Sequence, residues 1–206
     1  RMRLSDGLPN KMIDTFAKAI SFVFNPILVL LFVPLALLYQ NTGDLYQATM
    51  WTLYTAFFLL AMTVFILVCV QRKMFTDMDV SKRQQRPLLF LVSIITVLLY
   101  LSGLFLFHGP LILFVIAFGI GFGIFVASII NIKIKASVHV ATISAFIFAI
   151  AMVYGGWYQL LLLLILLVAW ARVRIKRHTR SETIVGGVLG ISLALLIYSL
   201  VRILGH

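Results

Sequence analysis

Residues 111–130 read LILFVIAFGIGFGIFVASII, twenty positions without one charged or strongly polar side chain. A helix needs about 20 apolar residues to cross the hydrocarbon core of a bilayer, so this stretch predicts a membrane span. Six further stretches on either side have the same character: 20–39, 48–70, 88–107, 138–154, 158–173 and 183–204. The fifth and sixth crossings in chain order are the shortest, and Gly155-Gly156 between them predicts a tight turn. Alternation of the strand type is absent, and lipid does not tolerate open strand edges. The expected fold is all-α: one polytopic membrane helix bundle over residues 1–206, with about seven transmembrane segments.

The composition agrees. Of 206 residues, 63% are hydrophobic and 11% charged, against roughly half and a quarter in a soluble domain. One cysteine, Cys69, permits no intrachain disulfide and no cysteine metal cluster. Before the first crossing, Met12, Ile13, Phe16, Ala17 and Ile20 recur at helical spacing, which predicts a short amphipathic interfacial helix at about 8–19. Asp6 and Asp14 make that region unlike a cleaved leader. Pro26 and Pro34 fall inside the first predicted crossing and are expected to bend it.

The chain carries 17 Lys and Arg against 6 Asp and Glu, a net charge of +11. With seven crossings, all of the Lys and Arg except Arg202 fall on the side of the N-terminus, as do every acid except Asp44. The excess of bases in cytoplasmic loops then predicts a multi-pass protein of a plasma or inner membrane, with the N-terminus and basic loops in the cytoplasm. A basic excess explained in this way needs no nucleic-acid partner; membrane lipids are the expected surroundings, and assembly of several copies is compatible with the sequence.

The polar groups able to do chemistry fall in three basic loops expected at one membrane face. The first runs Asp77-Met-Asp79-Val-Ser81-Lys82-Arg83-Gln-Gln-Arg86-Pro87. The second runs Lys133-Ile-Lys135-Ala-Ser137-Val-His139, and the third Arg172-Val-Arg174-Ile-Lys176-Arg177-His178-Thr179-Arg180-Ser181-Glu182. Guanidinium groups bind phosphate oxygens by paired hydrogen bonds, and helix starts at Ser137 and Thr179 add free N–H groups. Two histidines suffice for phosphoryl transfer, one attacking phosphorus and one protonating the leaving oxygen. Glu182 lies four residues after His178, so on a helix its carboxylate can orient the imidazole. Thr179-x-x-Glu182 also reads as a capping box. Arg174, Lys176, Arg177 and Arg180 read as lipid-headgroup anchors, and Asp77 and Asp79 as loop acids paired to nearby bases. Gly119 with Gly123, and Gly186 with Gly190, predict close helix packing.

These loops resemble the three signatures of the type 2 phosphatidic acid phosphatase superfamily, which includes lipid phosphatases and haloperoxidase-like relatives. Arg172-x5-His178-x3-Glu182 is similar to the third signature, which ends in Asp. Ala136-Ser137-Val138-His139 is similar to the second, Pro-Ser-Gly-His, and Arg86-Pro87 to the close of the first, Lys-x6-Arg-Pro. The resemblance implies a membrane phosphatase for a lipid phosphate or diphosphate, phosphatidic acid-like or isoprenyl diphosphate-like. It implies His178 as nucleophile, His139 as proton donor and Glu182 as the orienting acid. Arg172, Arg86 and Ser137 would bind phosphoryl oxygens. No cofactor and no metal is implied. Asp79 stands where the family has lysine, which leaves Lys82 to supply that cation. The alternatives are a non-catalytic lipid-phosphate binder, or a magnesium-dependent intramembrane prenyltransferase using Asp77 and Asp79.

Overall fold

Long apolar runs without interior charge satisfy their backbone polar groups only as helices when surrounded by lipid, and the runs predicted as crossings are helical apart from a break in the first. The computed structural model describes residues 8–204, so Arg1, Arg3, Asp6 and His206 lie outside the described residues. Among the described residues eight α-helices follow one another: α1 (Leu8–Val23), α2 (Pro26–Thr42), α3 (Leu45–Gln71), α4 (Arg86–Leu106), α5 (Leu111–Ile130), α6 (Val138–Tyr154), α7 (Leu162–Arg174) and α8 (Arg180–Leu204). Short 3-10 turns precede α4 and α7.

Five helical stretches among the described residues are long and apolar enough to cross a bilayer: those of α3, α4, α5, α7 with its preceding turn, and α8. In the α3 span only 11% of the most apolar window is buried. Leu53, Phe57 and Leu60 point outward, which water would penalise and hydrocarbon does not. The chain is a multi-pass helical membrane protein. α2 and α6 are apolar but have 17 residues each, about 26 Å of helix against a core of about 30 Å.

The first predicted crossing requires a correction. Residues 20–23 belong to α1, and the helix breaks at Phe24-Asn25 before α2 begins at Pro26. Proline disfavours helical backbone in the residue before it, here Asn25, yet suits a helix start. Pro26 therefore separates two helices instead of bending one. Pro34 lies within α2, its side chain outside the described residues.

The helices group into two compact units, one of residues 1–26 and 136–206 and the other of 27–135. In the first, α6 packs on α8, and α7 on both α6 and α1. Glycine makes the α6–α8 approach close. A Cβ at Gly186 would stand 2.5 Å from the Ser137 carbonyl oxygen, and one at Gly190 would collide with the Ala141 carbonyl. The predicted small-residue face of α8 is present. Gly155 and Gly156 both take positive φ, 61° and 51°, and turn the chain from α6 toward α7 in a conformation that glycine alone adopts freely.

In the second unit, α4 packs on α3 and α5. Leu38, Ala48, Leu104 and Leu113 form one buried cluster, and Ile66, Cys69, Phe75 and Val80 another. Cys69 fills apolar space.

Candidate active site

The end of α7 sets the geometry of the first unit's polar cluster. The N–H of Arg177 donates to the Arg172 carbonyl at 3.1 Å and that of Lys176 to the Val173 carbonyl at 3.0 Å, with Lys176 at φ 59°. This pair of bonds is a Schellman motif. Lysine occupies its left-handed position at a backbone cost of roughly 1–2 kcal/mol. The tight turn brings His178 back over the helix end, and its N–H also reaches the Arg172 carbonyl, at 3.3 Å.

The chain then starts α8 with a capping box. The Glu182 N–H donates to Thr179 Oγ1 at 3.3 Å, and Glu182 Oε2 accepts from the Thr179 N–H at 3.2 Å. The same Oε2 lies 2.9 Å from His178 Nδ1. One carboxylate oxygen thus both caps the helix and contacts the imidazole. The His178 side chain is 3% exposed and that of Glu182 17%, which keeps water from competing for their contact.

The start of α6 meets the start of α8. The Ser137 N–H donates to the Glu182 carbonyl at 3.1 Å, and Gly186 lets the two backbones approach. Ser137 occupies the N-cap position of α6, where serine normally bonds a free N–H of the first turn. Here its fully buried Oγ makes no such bond and has no hydrogen-bond partner among the described residues. His139, also buried, sits two residues further along α6.

Arg172 is 2% exposed, and its Nη1 donates to Ser21 Oγ on α1 at 2.8 Å. Arg174 follows on α7, with Nε 2.8 Å from Asp14 Oδ1 and Nη2 3.1 Å from Asn10 Oδ1. Arg174, expected among the lipid headgroups, also ties α7 to α1 within the chain. Sequence reasoning missed Ser21 altogether. The available signal was a helical stripe of polar residues, Asn10, Asp14 and Ser21, which runs beside the apolar positions of α1.

The second unit holds Lys82 and Arg86, described there by themselves. Asp77 Oδ1 accepts from the Asp79 N–H at 2.9 Å and from Ser81 Oγ at 3.0 Å, an Asx turn that builds the loop. Val80 follows with φ 46° and a fully buried side chain, an outlier for a β-branched residue. Its carbonyl accepts from Arg86 Nε at 3.1 Å, and Arg86 is buried at the start of α4. Lys82 is exposed. Lys135 Nζ reaches the Ser81 carbonyl at 3.2 Å, and Arg83 Nη1 the Lys133 carbonyl at 2.7 Å. Among the described residues no three His, Cys, Asp or Glu side chains gather as a metal site.

The family model of the PAP2 superfamily matches residues 127–205. That segment is similar to the PAP2 superfamily. It contains α6, α7 and α8, and with them Ser137, His139, Arg172, His178 and Glu182; Lys82 and Arg86 lie outside it. The match is to a superfamily of phosphatase-type fold that generally hydrolyses phosphate esters. No curated protein and no solved structure gives a significant match to the chain.

Proposed function

We propose that the protein is a membrane-embedded phosphatase that hydrolyses a lipid phosphate or diphosphate through a phosphohistidine. The observation that carries this reading is the 2.9 Å contact of His178 Nδ1 with Glu182 Oε2, made within the segment similar to the PAP2 superfamily. A proton on Nδ1, donated to the carboxylate, leaves the Nε2 lone pair available to attack phosphorus. The P–N bond forms as the bond to the leaving oxygen breaks, and His139 supplies that oxygen's proton. Water then attacks phosphorus and releases phosphate and the free imidazole. Arg172 stabilises charge on the phosphoryl oxygens. The buried Ser137 hydroxyl, unspent on its own helix, donates to one of them.

Arg86 and Lys82 join this reading through their sequence motif, as further cations for the phosphate. The substrate's tail stays among the helices, and the N-terminus and the basic loops face the cytoplasm. A cysteine introduced by Arg180→Cys is then labelled by a membrane-impermeant thiol reagent only after the cells are opened; labelling in intact cells reverses the orientation.

The test of the chemistry is phosphate release from a panel of lipid mono- and diphosphates in detergent or vesicles. The wild type is expected to turn over at least one of them, and His178→Ala to lose at least about 10³-fold in rate. An unchanged rate in His178→Ala sinks the mechanism. A second reading, a lipid-phosphate binder without turnover, is favoured by Asp79, an acid where the superfamily signature has lysine. Binding of these lipids with no phosphate released by the wild type would select it.

A further inference from the structure

Arg172 is held by a residue that the superfamily match does not include. The guanidinium is buried, and its Nη1 donates to Ser21 Oγ on α1 at 2.8 Å across 151 residues of sequence. Ser21 is itself buried. A buried guanidinium has five N–H donors in a rigid planar fork, so a bond to one terminal nitrogen fixes the plane and sets the direction of the rest. The polar stripe of α1 supports this placement: Asp14 and Asn10 bond Arg174 one half-turn along α7, and Phe16 lies against Trp170 with ring centroids 6.3 Å apart.

We infer that Ser21 is a positioning residue for the phosphate-binding Arg172, which makes α1 part of the active site. The inference rests on the proposed function for what Arg172 binds, but the Ser21–Arg172 bond is a feature of the fold. Serine suits the task because its hydroxyl accepts from the guanidinium without adding a second charge that would compete with the phosphate. An acid at this place would neutralise the arginine instead.

The test compares Ser21→Ala with Asp14→Ala in the full-length protein. Ser21→Ala removes one oxygen from a helix that tolerates alanine well. It is expected to lower kcat/KM about tenfold and to weaken binding of orthovanadate, a mimic of the pentacoordinate phosphoryl group, by a similar factor. Asp14→Ala loosens α1 at a partly exposed pair and is expected to lower the melting temperature slightly without changing vanadate affinity. Two variants that act alike on both readouts would show a merely structural role for α1 and overturn the inference. So would Ser21→Ala matching the wild type in turnover and vanadate affinity. A wild type that binds vanadate but hydrolyses none of the lipids, while Ser21→Ala binds it about tenfold more weakly, would sink the phosphatase reading and leave this one standing. Absence of both turnover and vanadate binding in the wild type would overturn both.

Discussion

In the unit of α1 and α6 to α8, the basic and imidazole side chains bond to other side chains: His178 to Glu182, Arg172 to Ser21, Arg174 to Asp14 and Asn10. In the unit of α2 to α5, several polar side chains donate to main-chain carbonyls: Arg86 to Val80, Arg83 to Lys133, Lys135 to Ser81, and the Asn131 amide to Arg83. The contrast is chemical. A carbonyl belongs to the fold whatever its side chain is, so a cation bonded to it closes a loop. A carboxylate or hydroxyl can be exchanged one atom at a time, and it can set the tautomer or plane of its partner. The first arrangement suits a reacting centre, and the second suits a scaffold that keeps two basic loops in shape.

The difference can be broken most directly at Glu182. Glu182→Gln keeps an acceptor for the Thr179 N–H, since glutamine serves in a capping box, but removes the charge that stabilises the imidazolium. Turnover is expected to fall by roughly 10²–10⁴ with little loss of thermal stability. Thr179→Ala, read in the same assays, should do the reverse, costing about 1 kcal/mol of stability and changing turnover by less than about threefold. If both variants lose activity and stability together, capping and orientation are one function and the contrast with the other unit weakens. The smallest effect belongs to Arg83→Ala. Its bond to the Lys133 carbonyl is exposed, so removal should cost no more than about 1 kcal/mol and leave turnover within about twofold. A loss of turnover there on the scale of Glu182→Gln would make Arg83, and not only Arg86 and Lys82 beside it, part of the chemistry.

Much of this was legible in the sequence, for reasons that also explain the misses. Helices α5 and α6 begin and end where apolar runs do, because membrane burial imposes a coarse and strong pattern. The Thr179-to-Glu182 box was readable because caps are local. The boundary at Asn25-Pro26 was not, since apolar residues flank it on both sides and hydropathy passes through the break. The bonds of Arg174 and Ser21 were not legible because their partners lie more than 150 residues away, beyond any local pattern. The left-handed Val80 was invisible for another reason. Side-chain preference argues against that conformation, and the Asp77 turn with the buried Val80 side chain imposes it.

The long separation between Ser21 and Arg172 bears on how the molecule comes to exist. During synthesis α1 emerges first, and its partner helix α7 only after the whole 27–135 unit has been made. Until then the Asn10, Asp14 and Ser21 stripe has no α7 to meet. Closing a chain segment of about 150 residues costs about 2 kcal/mol more in entropy than closing one of about 15, so the joining of α1 to α7 belongs among the late steps of assembly. A ribosome stalled, or a chain truncated, between the end of α5 and residue 172 would leave a protein with several membrane helices in place and no arginine for Ser21 to hold.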